Sequence, residues 1–430
     1  MPSYARRRKW IKLRDQINAP LVMNPFVFTK SFFIWVLLGI LGGIVAGLYW
    51  NTALFLIEWV KQFDAGWQIV LIMGGAGFLL GLIIHLAGDP GELEIVLNNI
   101  RFKGGKMDTH HNPSMVATSL IGIGAGSSAG PEAPMVQIIG SLGSWIAKHL
   151  KMNREEHRSM TIAGMATGFT AMFGVPLAGC LFAMEVIHHK HVVQYYAALI
   201  PAFVASGTSF IIFQLITELG WSPVWALPFP KVDEHLFDFF WAMGYGAVGA
   251  AVGWLIIWLF RSLKKFFKNF KAPYYLRTAL SGIILGLLGW QLPITRFFSK
   301  HELVELLHGE WTLTILIVIV LVKIFSMTLT VTSGWRGGYI IPLLFIGAAL
   351  GMIVYKVYPE GQQLGLVVVC CMAAVNASVT RTPISTIILV GTLTGFQSFI
   401  PILFASLTGF FLAPKSPLIA AQVDSALIDQ

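Results

Sequence analysis

The chain has 430 residues, 56% of them apolar and only 12% charged, with a mean hydropathy of +0.71. That balance excludes an ordinary soluble domain. The formal charge of +9 sits in clusters that flank apolar runs instead of forming one face, so nucleic-acid binding is not expected.

The first 30 residues form a basic leader, with Arg6, Arg7, Arg8, Lys9, Lys12, Arg14 and Lys30 against the single acid Asp15. No small-residue cleavage site follows, so the leader is expected to stay on the mature chain. Apolar runs at 31–50, 66–87, 239–260, 278–290 and 311–329 approach or reach the roughly 20 residues that span a bilayer core. The chain therefore reads as an all-α, polytopic membrane protein. The segment RSLKKFFKNFKAPYYLR at 261–277 carries six basic residues and no acid. With the leader, it is expected on the cytoplasmic side of the inner membrane by the positive-inside bias, and KHLKMNREEHR at 148–158 leans the same way. Cys180, Cys370 and Cys371 lie in apolar segments without metal-ligand spacing, so no metal, cofactor or disulfide framework is expected. No polar module is read after the last span. The expected organisation is a basic segment at 1–30, one membrane domain at 31–420 and a short tail at 421–430.

Within that domain, landmarks recur. ELEIVL (92–97) matches ELVELL (302–307), GPEAPMVQIIGSLG (130–143) matches GYIIPLLFIGAALG (338–351), and FGVPLAGCLFAMEV (173–186) matches VTRTPISTIILVGT (379–392). Pro342 lies 208 residues after Pro134, and Pro383 lies 207 after Pro176. Three matches in one order indicate a duplication, with one repeat at about 31–215 and the other at about 238–420. Such halves are the usual architecture of transporters.

In both copies a glycine-rich segment ends in a proline that opens an apolar helix. Proline in the first turn gives up an N–H that has no partner there, and glycine lets the chain turn sharply. Helix starts at membrane depth aim unpaired N–H groups and positive dipole ends into a cavity, which attracts anions. Glu132 stands at one of them, in GPEAP. A carboxylate there competes with a passing anion and acts as a tethered plug that protonation releases. The alternative is a carboxylate that caps the helix without moving. In GDPGELE (88–94), Asp89 is read as an N-cap, Pro90 as the first helical residue and Glu92 as the closing member of a capping box.

At this point the chain resembles the CLC family of chloride channels and anion/proton antiporters. GPEAP (130–134) stands where that family has GREGP, GYIIP (338–342) for GxFxP, and GDPGELE for GSGIP-E; NASVTRTPISTIILV (376–390) resembles a further stretch. The resemblance implies an inverted repeat of tilted and broken transmembrane helices, a homodimer with one pore per subunit, and Glu132 as the gating residue. Pro131 and Ala133 replace the arginine and glycine of GREGP, and Ile340 replaces the aromatic of GxFxP. The family's serine has no clear counterpart at Gly88 or Asp89, and its tyrosine gives way to Ile419. Anion contacts then fall to backbone around Gly88, Gly130, Pro131, Glu132, Ala133, Gly338, Tyr339 and Ile340.

Coupling is open at this stage. In AMEVIHHKHVV (183–193), Val186 follows Glu185 where exchangers of the family often carry a second glutamate. Candidates for a proton path are Glu185 and the titratable His188, His189 and His191. Arg336 is read as a vestibule charge that raises local anion concentration or pairs with a lipid phosphate. The reading favours passive conduction of a small inorganic anion, chloride first and fluoride or nitrate after it. The alternative is proton-coupled anion antiport. An intramembrane enzyme is a remote rival, because no HExxH or Ser–His motif is present.

Overall fold

Glycine and proline punctuation cuts the apolar sequence into helices of very unequal length, and that inequality is what builds the interior. The computed structural model describes residues 25–63, 66–91, 93–187, 197–227, 235–359, 361–396 and 398–422. Among them are 16 α-helices. The first eight are α1 (Pro25–Lys61), α2 (Trp67–Ala87), α3 (Leu93–Phe102), α4 (Asn112–Ala125), α5 (Glu132–His149), α6 (Arg154–Phe173), α7 (Pro176–Glu185) and α8 (Leu199–Thr217). The second eight are α9 (Leu236–Asn269), α10 (Tyr274–Gln291), α11 (Lys300–His308), α12 (Leu313–Ser333), α13 (Ile340–Val357), α14 (Leu364–Thr380), α15 (Pro383–Leu393) and α16 (Phe399–Phe411).

Each set opens on its longest helix. The opening helices α1 and α9 have 37 and 34 residues, about 50 to 55 Å at 1.5 Å per residue. They exceed a bilayer core of about 30 Å and so run tilted or project beyond it. At the other extreme α3, α7 and α15 have 10, 10 and 11 residues. About 15 Å of helix cannot cross a membrane core of about 30 Å. Six helices are long and apolar enough to span, among the described residues. Large apolar side chains such as Phe33, Leu71, Leu215 and Trp258 point outward, as a lipid-facing surface requires.

Packing partners repeat as well. The α1–α8, α5–α6 and α6–α8 contacts are matched by α9–α16, α13–α14 and α14–α16, while α2 packs on α10 and α7 on α15. The α2–α10 crossing is close because it is made of glycine: a Cβ at Gly77 would lie 2.3 Å from the Thr278 carbonyl oxygen, and one at Gly282 would lie 2.2 Å from that of Met73. Small residues let membrane helices gain dispersion contact where no hydrophobic drive exists between them.

Several expectations need adjustment. The first span is 37 residues where 20 were expected, because a Gly-containing apolar pattern continues to Lys61 without a breaker. The α3 helix starts at Leu93, so Pro90 does not open it. Gly88 and Gly91 take φ of +86° and +82°, and Asp89 instead accepts the Gly91 N–H at 2.8 Å in a local turn. Glu92, His188, His189, His191, residues 1–24 of the leader and 423–430 of the tail lie outside the described residues.

Candidate functional site

The helix starts that open α5 and α13 are built twice from the same parts. Helix α4 ends at Gly126 and α12 at Gly334, both with φ of +107°. In each the next residue folds back, Ser127 N–H to the Gly122 carbonyl at 3.1 Å and Trp335 N–H to that of Thr330 at 3.2 Å. Four residues on, Gly130 and Gly338 pair with each other across the repeats: the N–H of each donates to the carbonyl of the other, at 2.7 and 2.6 Å. Pro134 and Pro342 then fall in the first turns of α5 and α13. Two helix N-termini are thereby held side by side.

Glu132 links them. Its side chain is 1% exposed, and its Oε1 accepts the Ile340 N–H at 2.8 Å and, more weakly, the Ile341 N–H at 3.4 Å. Ile340 is 208 residues beyond Glu132, so the carboxylate occupies the N–H of the residue that holds its own place in the other repeat. Its Oε2 is buried without a hydrogen-bond partner. Space for the group exists only because both neighbours lack side chains: a Cβ at Gly130 would lie 2.0 Å from Oε2, and one at Gly338 would lie 2.3 Å from Cδ. Donors of this kind at a helix start are what a small anion would use. A carboxylate and an anion could not hold these donors together.

Two small cavities adjoin this point. Beside Glu132 is a cavity of about 10 Å³, walled by Ala133, Phe169, Phe182, Val186, Thr380 and Ile419 among others, with room for at most about one water. Tyr339, Ala133, Leu93 and Ile419 also wall a second cavity of about 50 Å³, which Gln137, Lys264, Trp335 and Arg336 help to line. Arg336 is 4% exposed. It forms an ion pair with Asp89 and donates to the Tyr274 hydroxyl at 3.0 Å.

Of the residues singled out in sequence, Gly130, Glu132, Ala133, Gly338, Tyr339 and Ile340 come together here, and Pro131 is the buried residue just ahead of α5. Gly88 does not join them. It abuts the His111 ring, with the Ser114 hydroxyl 3.4 Å from its carbonyl, and Gly91 and Leu93 line the second cavity in its place. Glu185 ends α7 and caps α15, its carboxylate accepting the N–H groups of Ile384 at 2.9 Å and Ser385 at 2.7 Å. Two charged features escaped the sequence reading. Tyr274 and Asp89 hold Arg336 from 62 and 247 residues away, which no local pattern signals. Lys323 is fully buried within α12. It donates to the carbonyls of Thr295 and Phe297 at 3.0 Å each and lies 5.1 Å from the Phe345 ring centroid; a lone lysine in an apolar run was the available signal.

Comparison with known proteins agrees with this architecture. The family described as voltage gated chloride channel matches residues 76–414. The "Putative chloride channel protein ClcB-like" of Ralstonia nicotianae is 27% identical over 366 residues, 81% of this chain and 82% of the relative. Among solved structures, a CLC-type fluoride/proton antiporter superposes with a TM-score of 0.82 at 22% identity, covering 92% of this chain and 98% of that one. A slow cyanobacterial Cl⁻/H⁺ antiporter gives 0.81 at 19% identity, covering 93% and 99%. The fold is thus the inverted repeat of tilted and broken helices.

Proposed function

Since the chain belongs to the CLC family of voltage gated chloride channels, we propose that it carries a small inorganic anion across the membrane in exchange for protons, with Glu132 as the group that serves both ions. Chloride is the first candidate, with fluoride and nitrate as alternatives. The observation that carries the proposal is the hydrogen bond from Ile340 N–H to Glu132 Oε1 at 2.8 Å. Ionised, the carboxylate holds the donor that the anion needs. A proton removes the charge, weakens that hold and frees the donor, so one site is occupied by a carboxylate or by an anion but not by both.

Exchange is favoured over the passive conduction that the sequence suggested, because the space beside Glu132 is only about 10 Å³ and offers no continuous watery path. The two solved structures that share its fold are described as a fluoride/proton and a Cl⁻/H⁺ antiporter. Val186, which lines that space, favours the passive alternative, since a valine carries no proton. The basic clusters support an N-terminus on the cytoplasmic side of the inner membrane, and two copies are expected to form a homodimer whose sites are each complete within one chain.

Purified protein in proteoliposomes tests the coupling. A chloride gradient should drive protons against their own gradient at a fixed ratio, and Glu132→Ala should abolish proton movement while anion flux continues. Anion flux in the wild type with no uphill proton movement would establish passive conduction instead.

A further inference from the structure

We propose that the hollow where α3 and α5 end is a binding site for a ligand that carries a pair of phosphate groups. It is separate from Glu132 and does not depend on the transport reading. The cavity measures about 610 Å³, the size that takes a small molecule or a headgroup. Lys103, Lys106, Lys148 and Lys151 line it, with Asp108 as the one acid among the lining residues. The bias that gathers lysines on the cytoplasmic side explains their number, but not their lack of partners. None of the four forms an ion pair with a described residue. Acids close by in sequence are engaged elsewhere: Glu155 pairs with Arg158 at 3.1 Å, and Glu156 accepts the Asn153 N–H at 3.0 Å in the cap of α6. Asp108 accepts the His110 N–H at 2.9 Å. The positive charge is left for an outside partner.

The cavity wall is more than a patch of surface lysines. Asn99 and His157 also line it, and they are 9% and 5% exposed. His157 Nε2 meets the Ser144 hydroxyl at 2.8 Å, and Ser144 Oγ accepts the Met107 N–H at 2.9 Å. These bonds tie the loop after α3 to α5 and α6. The Asn99 carbonyl takes the N–H groups of Lys103 and Gly105 at 3.0 Å each, while its side-chain amide has no hydrogen-bond partner among the described residues. An amide buried in that state calls for a partner in the cavity. Phosphate oxygens accept from an amide and from ammonium groups alike. One phosphate group carries about −1.5 to −2, so four lysines against one carboxylate are balanced by two such groups. Free diphosphate and a diphosphate lipid headgroup share this chemistry, and basic pockets at the cytoplasmic ends of membrane helices take such headgroups.

Isothermal titration of the full-length protein in detergent with sodium pyrophosphate and sodium phosphate tests the free ligand. Thermal unfolding in phosphatidylcholine nanodiscs, with and without cardiolipin, tests the lipid. Pyrophosphate should bind at least about tenfold more tightly than phosphate. Lys148→Gln and Asn99→Ala should each weaken it at least about fivefold. Lys268→Gln, an exposed lysine of α9 outside the cavity, should change it by less than about twofold. Stabilisation by cardiolipin without pyrophosphate binding identifies the lipid as the source, provided that it is lost in the two cavity variants. If Asn99→Ala does not fold, the double variant Lys103→Gln with Lys148→Gln, both exposed positions, takes its place. Failure of both pyrophosphate and cardiolipin to bind would overturn the proposal. So would equal affinity for phosphate and pyrophosphate, or equal losses in the cavity variants and Lys268→Gln.

Discussion

Gly338→Ala placed in a Glu132→Ala background asks whether the Ile340 N–H is where the anion sits. In the wild type a methyl carbon at 338 would stand 2.4 Å from the Glu132 Oε1 position, the point from which a bound atom reaches the Ile340 nitrogen at 2.8 Å. Carbon and a chloride-sized atom need at least about 3.5 Å, so an anion taking that place must retreat by about 1 Å. The contact to nitrogen then stretches beyond hydrogen-bond range. A hydrogen bond to a charged group is worth about 1.5–3 kcal/mol, so chloride affinity should fall by about 10- to 150-fold. The backbone should tolerate alanine, because Gly338 is not among the residues with positive φ. Titration calorimetry with chloride on the single and double variants gives the factor directly, and fluoride, being smaller, should lose less. Chloride affinity unchanged between Glu132→Ala and the double variant, both folded, would refute this placement of the anion.

Four further outcomes follow from the same geometry. Wild-type flux should rise on acidification and lose most of its pH dependence in Glu132→Gln, since the amide imitates the protonated acid; pH-resolved flux that is the same in both proteins would contradict gating. Glu185→Ala should lower stability by about 2 kcal/mol, because it uncaps α15, and should leave the proton-to-anion ratio of the folded protein unchanged; thermal unfolding and paired flux measurements separate this from a role in proton transfer. Lys323→Met should cost about 2–5 kcal/mol by stranding the carbonyls of Thr295 and Phe297, seen as a lower unfolding temperature in detergent. Halide selectivity should stay below about a hundredfold, or about 2.7 kcal/mol, because backbone donors attract any small anion; competition flux between chloride and fluoride checks it.

The glutamate and its partner were legible because their signals are local and duplicated. GPEAP marks a helix start by proline and glycine, its carboxylate is conspicuous between apolar runs, and the 208-residue offset points from Glu132 straight to Ile340. What sequence could not supply depends on how distant segments dock. Asp89 looked like a helix cap, and it does close a turn, but its partner Arg336 is 247 residues away. The start of α3 slipped to Leu93 because a positive-φ Gly91 breaks the approach that Asp-Pro-Gly-Glu seemed to open. Glu185 was read with the histidines as a candidate on a proton path; its two backbone donors lie across the packed α7–α15 contact, about 200 residues away, where no local pattern signals them.

The paired hydrogen bonds between Gly130 and Gly338 act as a rivet at the centre of the molecule. Swinging one half of the chain against the other about the membrane midplane would shear both bonds, in a setting where no water replaces them. Under the proposed exchange, the frame around Glu132 is therefore a stator that stays still while ions move. Whatever admits and releases them must be small enough to happen within it, on the scale of one carboxylate arm turning about its own χ angles. Such a machine hides its working motion from comparisons of backbone position, and a side-chain probe at Glu132 is where movement should register.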